Sequence, residues 1–206
     1  MEEKDYLKDI QDIKSMMAQS SRFISLSGLS GILAGIYSLI GAWFAYKTIY
    51  FDTSTSGNYS NLIISQEAVY KLLIIAGSVL LLSVLTGIVL SYRKATKQKE
   101  PVWNQASKRL LINFAIPLAT GGIFILFLIE KEILGLVAPL TLIFYGLACV
   151  NASKYTIGDV RYLGLTQILL GLLSLWFLGY GLLFWALGFG VGHILYGSIM
   201  HFKYDR

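Results

Sequence analysis

The chain has 206 residues, of which 55% are hydrophobic, 14% aromatic and only 14% charged, with a mean hydropathy of +0.63. A soluble domain carries about 25% charged residues, so this composition excludes an ordinary water-soluble domain and points to an integral membrane protein. The net charge of +5 requires no nucleic acid, because Lys and Arg orient membrane proteins, and the single cysteine, Cys149, excludes an intrachain disulfide framework or a multi-cysteine metal site.

The chain opens with "MEEKDYLKDIQDIKSMMAQSSRFI", which is charged throughout its first 22 residues. It has no short apolar core followed by a small-residue cleavage site, so a cleaved signal peptide is not expected. Tyr6, Ile10, Ile13, Met17, Ser20 and Ile24 recur at alternating steps of four and three, a heptad-like stripe. Residues 1–24 therefore read as an amphipathic cytoplasmic helix. Glu2, Glu3, Asp5, Asp9 and Asp12 outnumber its basic residues, which weakens attraction to anionic lipid. Its stripe, above all Tyr6, Ile10, Ile13 and Met17, is a candidate docking face for a partner or for the chain's own basic loop. A helix lying flat in the interface is the competing expectation.

Residues 25–206 form the membrane domain. Six apolar runs, at about 25–46, 69–92, 110–129, 133–150, 160–178 and 182–201, each come near the roughly 20 residues a spanning helix needs. The expected fold is an all-α, six-span bundle of three hairpins, with very short connections at 130–132 and 179–181. The loop 47–68 is polar and carries an "NYS" sequon at 58–60, while the loop 93–109 is strongly basic. If the spans alternate, fourteen of the seventeen Lys and Arg residues fall on one side and only Lys47, Lys71 and Lys131 on the other. The positive-inside rule then places both termini in the cytoplasm, in what reads as a bacterial inner membrane. Topology alone explains the basic loop; binding of lipid headgroups or an acidic partner ranks behind it.

The first and fifth spans echo each other. "GLSGILAGIYSLI" (28–40) aligns without gaps on "GLTQILLGLLSLW" (164–176). Gly28, Gly31, Gly35, Ser38 and Ala42 share one helix face, as do Gly164, Gln167, Gly171, Ser174 and Leu178. Small residues on one face let membrane helices approach closely.

No Asp or Glu falls in the middle of a span, which lowers the expectation of an ion-coupled transporter. Asn113, Thr120, Gln167 and His193 are the polar candidates at depth, with Pro117 and Pro139 as possible kinks. Ala186, Gly190, His193, Gly197 and His201 share a face of the last span; Gly188, Gly192, Leu195 and Ile199 line the opposite one. Gln167 and His193 lie at similar depth, roughly 10–12 Å from the cytoplasmic end at 1.5 Å per residue, so a direct hydrogen bond between them is expected. His193 reads first as a packed histidine, second as cavity lining, and last as a metal, haem or catalytic residue. His201, two turns away on the same helix, cannot chelate with it. "GFGVG" lacks the spacing and the preceding strand of a dinucleotide fingerprint.

The resulting expectation is a non-enzymatic multi-pass protein, without cofactor, acting through helix association. It would work as a homo-oligomer, or as a subunit or regulator of a membrane complex, with the bilayer, itself or another membrane protein as partner and no nucleic acid. The alternative is a small transporter or channel with a polar cavity near Asn113, Gln167 and His193.

Overall fold

The computed structural model describes residues 22–51, 65–99 and 101–204. These fold into α1 (Gly28–Tyr50), α2 (Gln66–Lys97), α3 (Gln105–Glu130), α4 (Val137–Ala152, entered through a 3₁₀ turn at Leu134–Leu136), α5 (Val160–Trp176) and α6 (Gly181–Tyr204). α6 is α-helical at Gly181–Trp185, π-helical at Ala186–Gly192 and α-helical again from His193. Among the described residues, five helices are long and apolar enough to cross a membrane: α1, α2, α3, α4 with its 3₁₀ entry, and α6. α5 is a shorter apolar helix of 17 residues. The expected amphipathic helix, with Tyr6, Ile10, Ile13 and Met17, lies outside the described residues. The end of its stripe, Ile24, sits in non-helical backbone. There Phe23 N–H donates to Tyr155 O at 2.8 Å and Thr156 Oγ1 donates back to Phe23 O at 2.7 Å.

Local chemistry sets the helix ends. The Ser65 hydroxyl caps α2 by accepting from Ala68 N–H. Glu67 in its first turn and Lys94 and Lys97 in its last complement the helix dipole. At α3, Asn104 Oδ1 accepts from Ser107 N–H, and Ser107 Oγ accepts from Asn104 N–H, a reciprocal capping box. The tight turn into α6 passes through Gly179 at φ 102°, a conformation glycine adopts without a Cβ clash.

α1, α4, α5 and α6 make the centre of the bundle, and α2 and α3 flank it. α2 rests on α1, where Gly41 faces Val79 and Tyr37 Oη lies 3.4 Å from Thr86 Oγ1. α3 rests on α4, where Gly121 faces Phe144. The most extensive contacts are α1 with α6, then α4 with α5 and α3 with α4. The short turn between α5 and α6 thus does not join the closest-packed neighbours.

Two of these interfaces are built alike. A Cβ on Gly146 of α4 would lie 2.6 Å from Gly164 O and 2.9 Å from Ile168 N of α5. A Cβ on Gly197 of α6 would lie 2.7 Å from Gly28 O and 2.5 Å from Ile32 N of α1. Likewise Gly171 meets Pro139 O and Ile143 N, and Gly35 meets Gly190 O and Ile194 N. Position for position, Gly28, Ile32 and Gly35 stand where Gly164, Ile168 and Gly171 stand. Gly190, Ile194, Gly197 and His201 stand where Pro139, Ile143, Gly146 and Val150 stand. The sequences agree locally: "IFYG" (143–146) matches "ILYG" (194–197). The echo between the first and fifth spans is therefore half of a duplicated antiparallel helix pair, whose second half runs between the two ends of the chain. Close backbone approach supplies the dispersion contact that drives association between apolar helices.

The bundle's ends differ in charge. At the end holding residue 22 and Tyr204, Asp159 accepts from Lys203 Nζ at 2.8 Å and from Tyr204 Oη at 3.1 Å, tying the start of α5 to the end of α6. The bond from Lys203 is the main reason the Asp159 carboxyl is held below the usual carboxylate range; partial burial opposes it and Tyr204 assists. A depressed folded pKa means the contribution is present above the unfolded value, about 3.9. It is lost as pH falls through the folded value. The effect is small, because solvent screens an exposed pair. Asp159→Asn should blunt part of the loss of thermal stability on acidification, read as melting temperature in detergent against pH.

Candidate functional site

The π-helical segment of α6 organises the polar residues at depth. π winding places i and i+5 near one face. His193, five residues after Gly188, turns its ring back so that Nδ1 lies 3.2 Å from Gly188 O. From α5, Gln167 Nε2 donates to the same carbonyl at 2.8 Å. From α4, Tyr145 Oη lies 2.7 Å from His193 Nε2. A carbonyl only accepts, so Nδ1 carries the proton and Nε2 is left as an acceptor for the Tyr145 hydroxyl. The cluster is thus a directed chain: Tyr145 O–H to Nε2, then Nδ1–H to Gly188 O, which Gln167 also donates to. Gln167 is fully buried and His193 is 7% exposed.

Aromatic rings enclose this chain. Tyr145 packs on Phe189 and His193 at ring-centroid distances of 5.0 and 5.2 Å, and Phe114 of α3 meets Tyr145 edge-on at 5.9 Å. Phe189 stacks on His193 at 5.8 Å. Both ring nitrogens of His193 are engaged within the chain. Among the described residues, no three His, Cys, Asp or Glu side chains come together as a metal site. The side chains that make these bonds, Tyr145, Gln167 and His193, include no carboxylate. These bonds connect α4, α5 and α6.

Three expectations from the sequence require correction. Gln167 and His193 do meet, but through Gly188 O, without a direct bond to each other. Gly188, which α-helical spacing assigns to the face opposite His193, is its hydrogen-bond partner, because the π segment winds fewer degrees per residue than an α-helix. Asn113 belongs to a different site. Pro117 has no N–H to give to Asn113 O, its α-helical partner four residues back. Asn151 Nδ2 of α4 donates to that carbonyl instead, at 2.9 Å, and reaches Asn113 Oδ1 at 3.3 Å. Asn113 Nδ2 folds back onto Arg109 O, and Thr120 Oγ1 folds back onto Ile116 O.

Tyr145 is not among the polar candidates at depth, because its ring reads as part of an apolar run. A tyrosine in mid-span is itself a signal, since a buried hydroxyl needs a partner. Gly188 is required by space as well. A Cβ there would lie 2.5 Å from both Gln167 Oε1 and Leu142 Cδ2. Gly188→Ala should expel the Gln167 amide from its seat. A melting temperature several degrees lower in detergent is expected; an unchanged one would count against this packing.

Comparison with protein-family models, with curated proteins and with solved structures finds no match.

Proposed function

We propose that the chain is a non-enzymatic membrane protein that works through helix association, as a homo-oligomer or as a subunit or regulator of a membrane complex. In this reading α5 is the sixth span: 17 residues is at the lower limit for crossing a bilayer, and it is packed along its length on α4. Six spans in three sequential hairpins leave both termini on the basic, cytoplasmic side of a bacterial inner membrane.

The observation that carries the reading is α2. Its most apolar 18-residue window has a mean hydropathy of 2.6, and none of it is buried in the chain. Gly77 and Gly87, in that helix, have nothing within 4 Å of where a Cβ would stand, whereas Gly146, Gly164, Gly171 and Gly197 are pressed against the backbone of a facing helix. The polar side chains at depth are meanwhile spent on holding the bundle together. The transporter or channel alternative draws less support, since Asn113 does not join Gln167 and His193.

The test is the mass of the protein purified in mild detergent from its own membrane, by light scattering corrected for detergent, with peptide identification of stoichiometric companions. A multiple of 22.9 kDa, or a fixed complex, is expected. A monodisperse single copy without companions overturns the reading.

A further inference from the structure

The two ends of the bundle treat their cations differently. At the end carrying Lys47, Lys71 and Lys131, every cation is already accommodated within the chain. Lys71 pairs with Glu67 at 3.2 Å, Lys131 with Glu130 at 3.6 Å, and Lys47 Nζ sits 3.9 Å above the Trp43 ring. At the opposite end the described residues include Arg22, Arg93, Lys94, Lys97, Lys99, Lys108, Arg109, Lys154, Arg161 and Lys203 with one carboxylate, Asp159; the sequence that flanks this end outside the described residues adds seven acids, Glu2, Glu3, Asp5, Asp9, Asp12, Glu100 and Asp205, and four cations. Lys203 takes the Asp159 carboxylate, and Lys94 Nζ turns inward to Leu26 O at 3.0 Å.

The excess is densest at the corner between α2 and α3. Arg93, Lys97, Lys99, Lys108 and Arg109 fall in a stretch whose sole acid is Glu100. Lys108 closes the first turn of α3 and Arg109 opens the second, and the first turn holds no acidic residue. The helix dipole is positive there, so cations at that place act against the helix they belong to. α2, by contrast, follows the favourable pattern at both its ends. An external anion would offset both the dipole and the mutual repulsion. Trp103, 66% exposed, stands in the connecting segment with Lys108 Nζ 5.6 Å from its ring, and Tyr92 and Tyr162 are exposed at the same end. Amphipathic rings of this kind sit at headgroup level, so these cations stand in the plane of lipid phosphates.

We propose that the corner formed by Arg93, Lys97, Lys99, Lys108 and Arg109 around Trp103 binds the headgroups of anionic phospholipids. The proposal rests on the membrane-spanning reading. The plane of the cations favours lipid over a soluble polyanion, which would approach a surface standing clear of the bilayer.

The full-length protein in neutral detergent, titrated with phosphatidylglycerol, should show a rise in melting temperature that phosphatidylcholine does not produce. Neutralising four cations together (K97Q, K99Q, K108Q and R109Q) should raise the half-maximal lipid concentration about tenfold or more, since each basic residue near a surface contributes to anionic-lipid affinity. The triple variant K47Q, K71Q and K131Q should respond like the wild type. In the unmodified protein the response should weaken as salt rises, which keeps the proposal testable if the quadruple variant does not fold. An equal response to phosphatidylcholine, a response insensitive to both salt and the four substitutions, reproduction of the rise by inorganic phosphate alone, or tighter binding of an RNA homopolymer would each overturn it. Such failures leave the oligomer measurement unaffected, so the two readings fail separately.

Discussion

Gly146→Ala and Gly197→Ala should each destabilise the protein, by about 1–3 kcal/mol on the scale of overpacked cores, and to a similar extent. In each case the added methyl would stand within 2.7 Å of backbone atoms of the facing helix. A flexible side chain can swing aside, but a helical backbone moves only with its whole helix. Relief would therefore require α4 and α5, or α6 and α1, to separate along their length, losing the dispersion contacts of the seam. Gly77→Ala, Gly87→Ala and Gly122→Ala provide the contrast, since nothing lies within 4 Å of a Cβ at those sites. There alanine should be neutral, or favourable by up to about 1 kcal/mol through helix propensity. Melting temperatures in one detergent would separate the two groups. Equal behaviour of all five variants would mean that the duplicated interface is not close-packed.

The second large effect concerns the shared carbonyl of Gly188. Gln167→Leu and His193→Leu each remove one side-chain donor and leave the other in place. The double variant removes both, and an acceptor deprived of its partners away from water costs about 1–3 kcal/mol. The double variant should therefore be worse than the sum of the single ones. A direct Gln167–His193 bond makes the opposite prediction, because the second substitution would then have nothing left to break. The sign of the coupling decides between a shared acceptor and a direct bond. Tyr145→Phe with His193→Leu should be less than additive, because their contact is direct. Its coupling should be about 0.6 kcal/mol, and no more than about 1.7, as for polar pairs between membrane helices. Reversible unfolding in detergent or bicelles measures all three.

The apolar runs were legible in the sequence, and each is a helix. The small-residue faces read from 28–42 and 164–178 are the faces that pack, because an absent side chain permits backbone contact whatever helix lies opposite. Periodicity also placed Gln167 and His193 inside the bundle, and both are buried. What it could not name was the neighbour: a glycine face looks the same whether it meets an adjacent helix or one five helices along the chain. α1 turns its face to α6, and α5 turns its face to α4.

Periodicity also failed wherever the backbone left the α-helix. Around Gly188 the π winding changes the angle between residues, so a glycine assigned to the far side of His193 becomes its partner. At Pro117 a missing N–H leaves a carbonyl that draws Asn151 to Asn113, and away from the cluster where the sequence had grouped it. The candidate docking stripe of Tyr6, Ile10, Ile13 and Met17 lies outside the described residues and stands as an expectation.

By itself, then, the sequence determined that the described residues are helical, with helices long and apolar enough to cross a membrane, glycine-lined faces and two inward polar side chains. Those properties follow from transfer free energy and from side-chain size, which are local. Only the tertiary structure decided which faces meet, that one interface is built twice, and that Tyr145, Gln167 and His193 converge around one carbonyl. Those outcomes depend on the relative register of separate helices and on one π-helical segment, neither of which hydrophobic periodicity encodes.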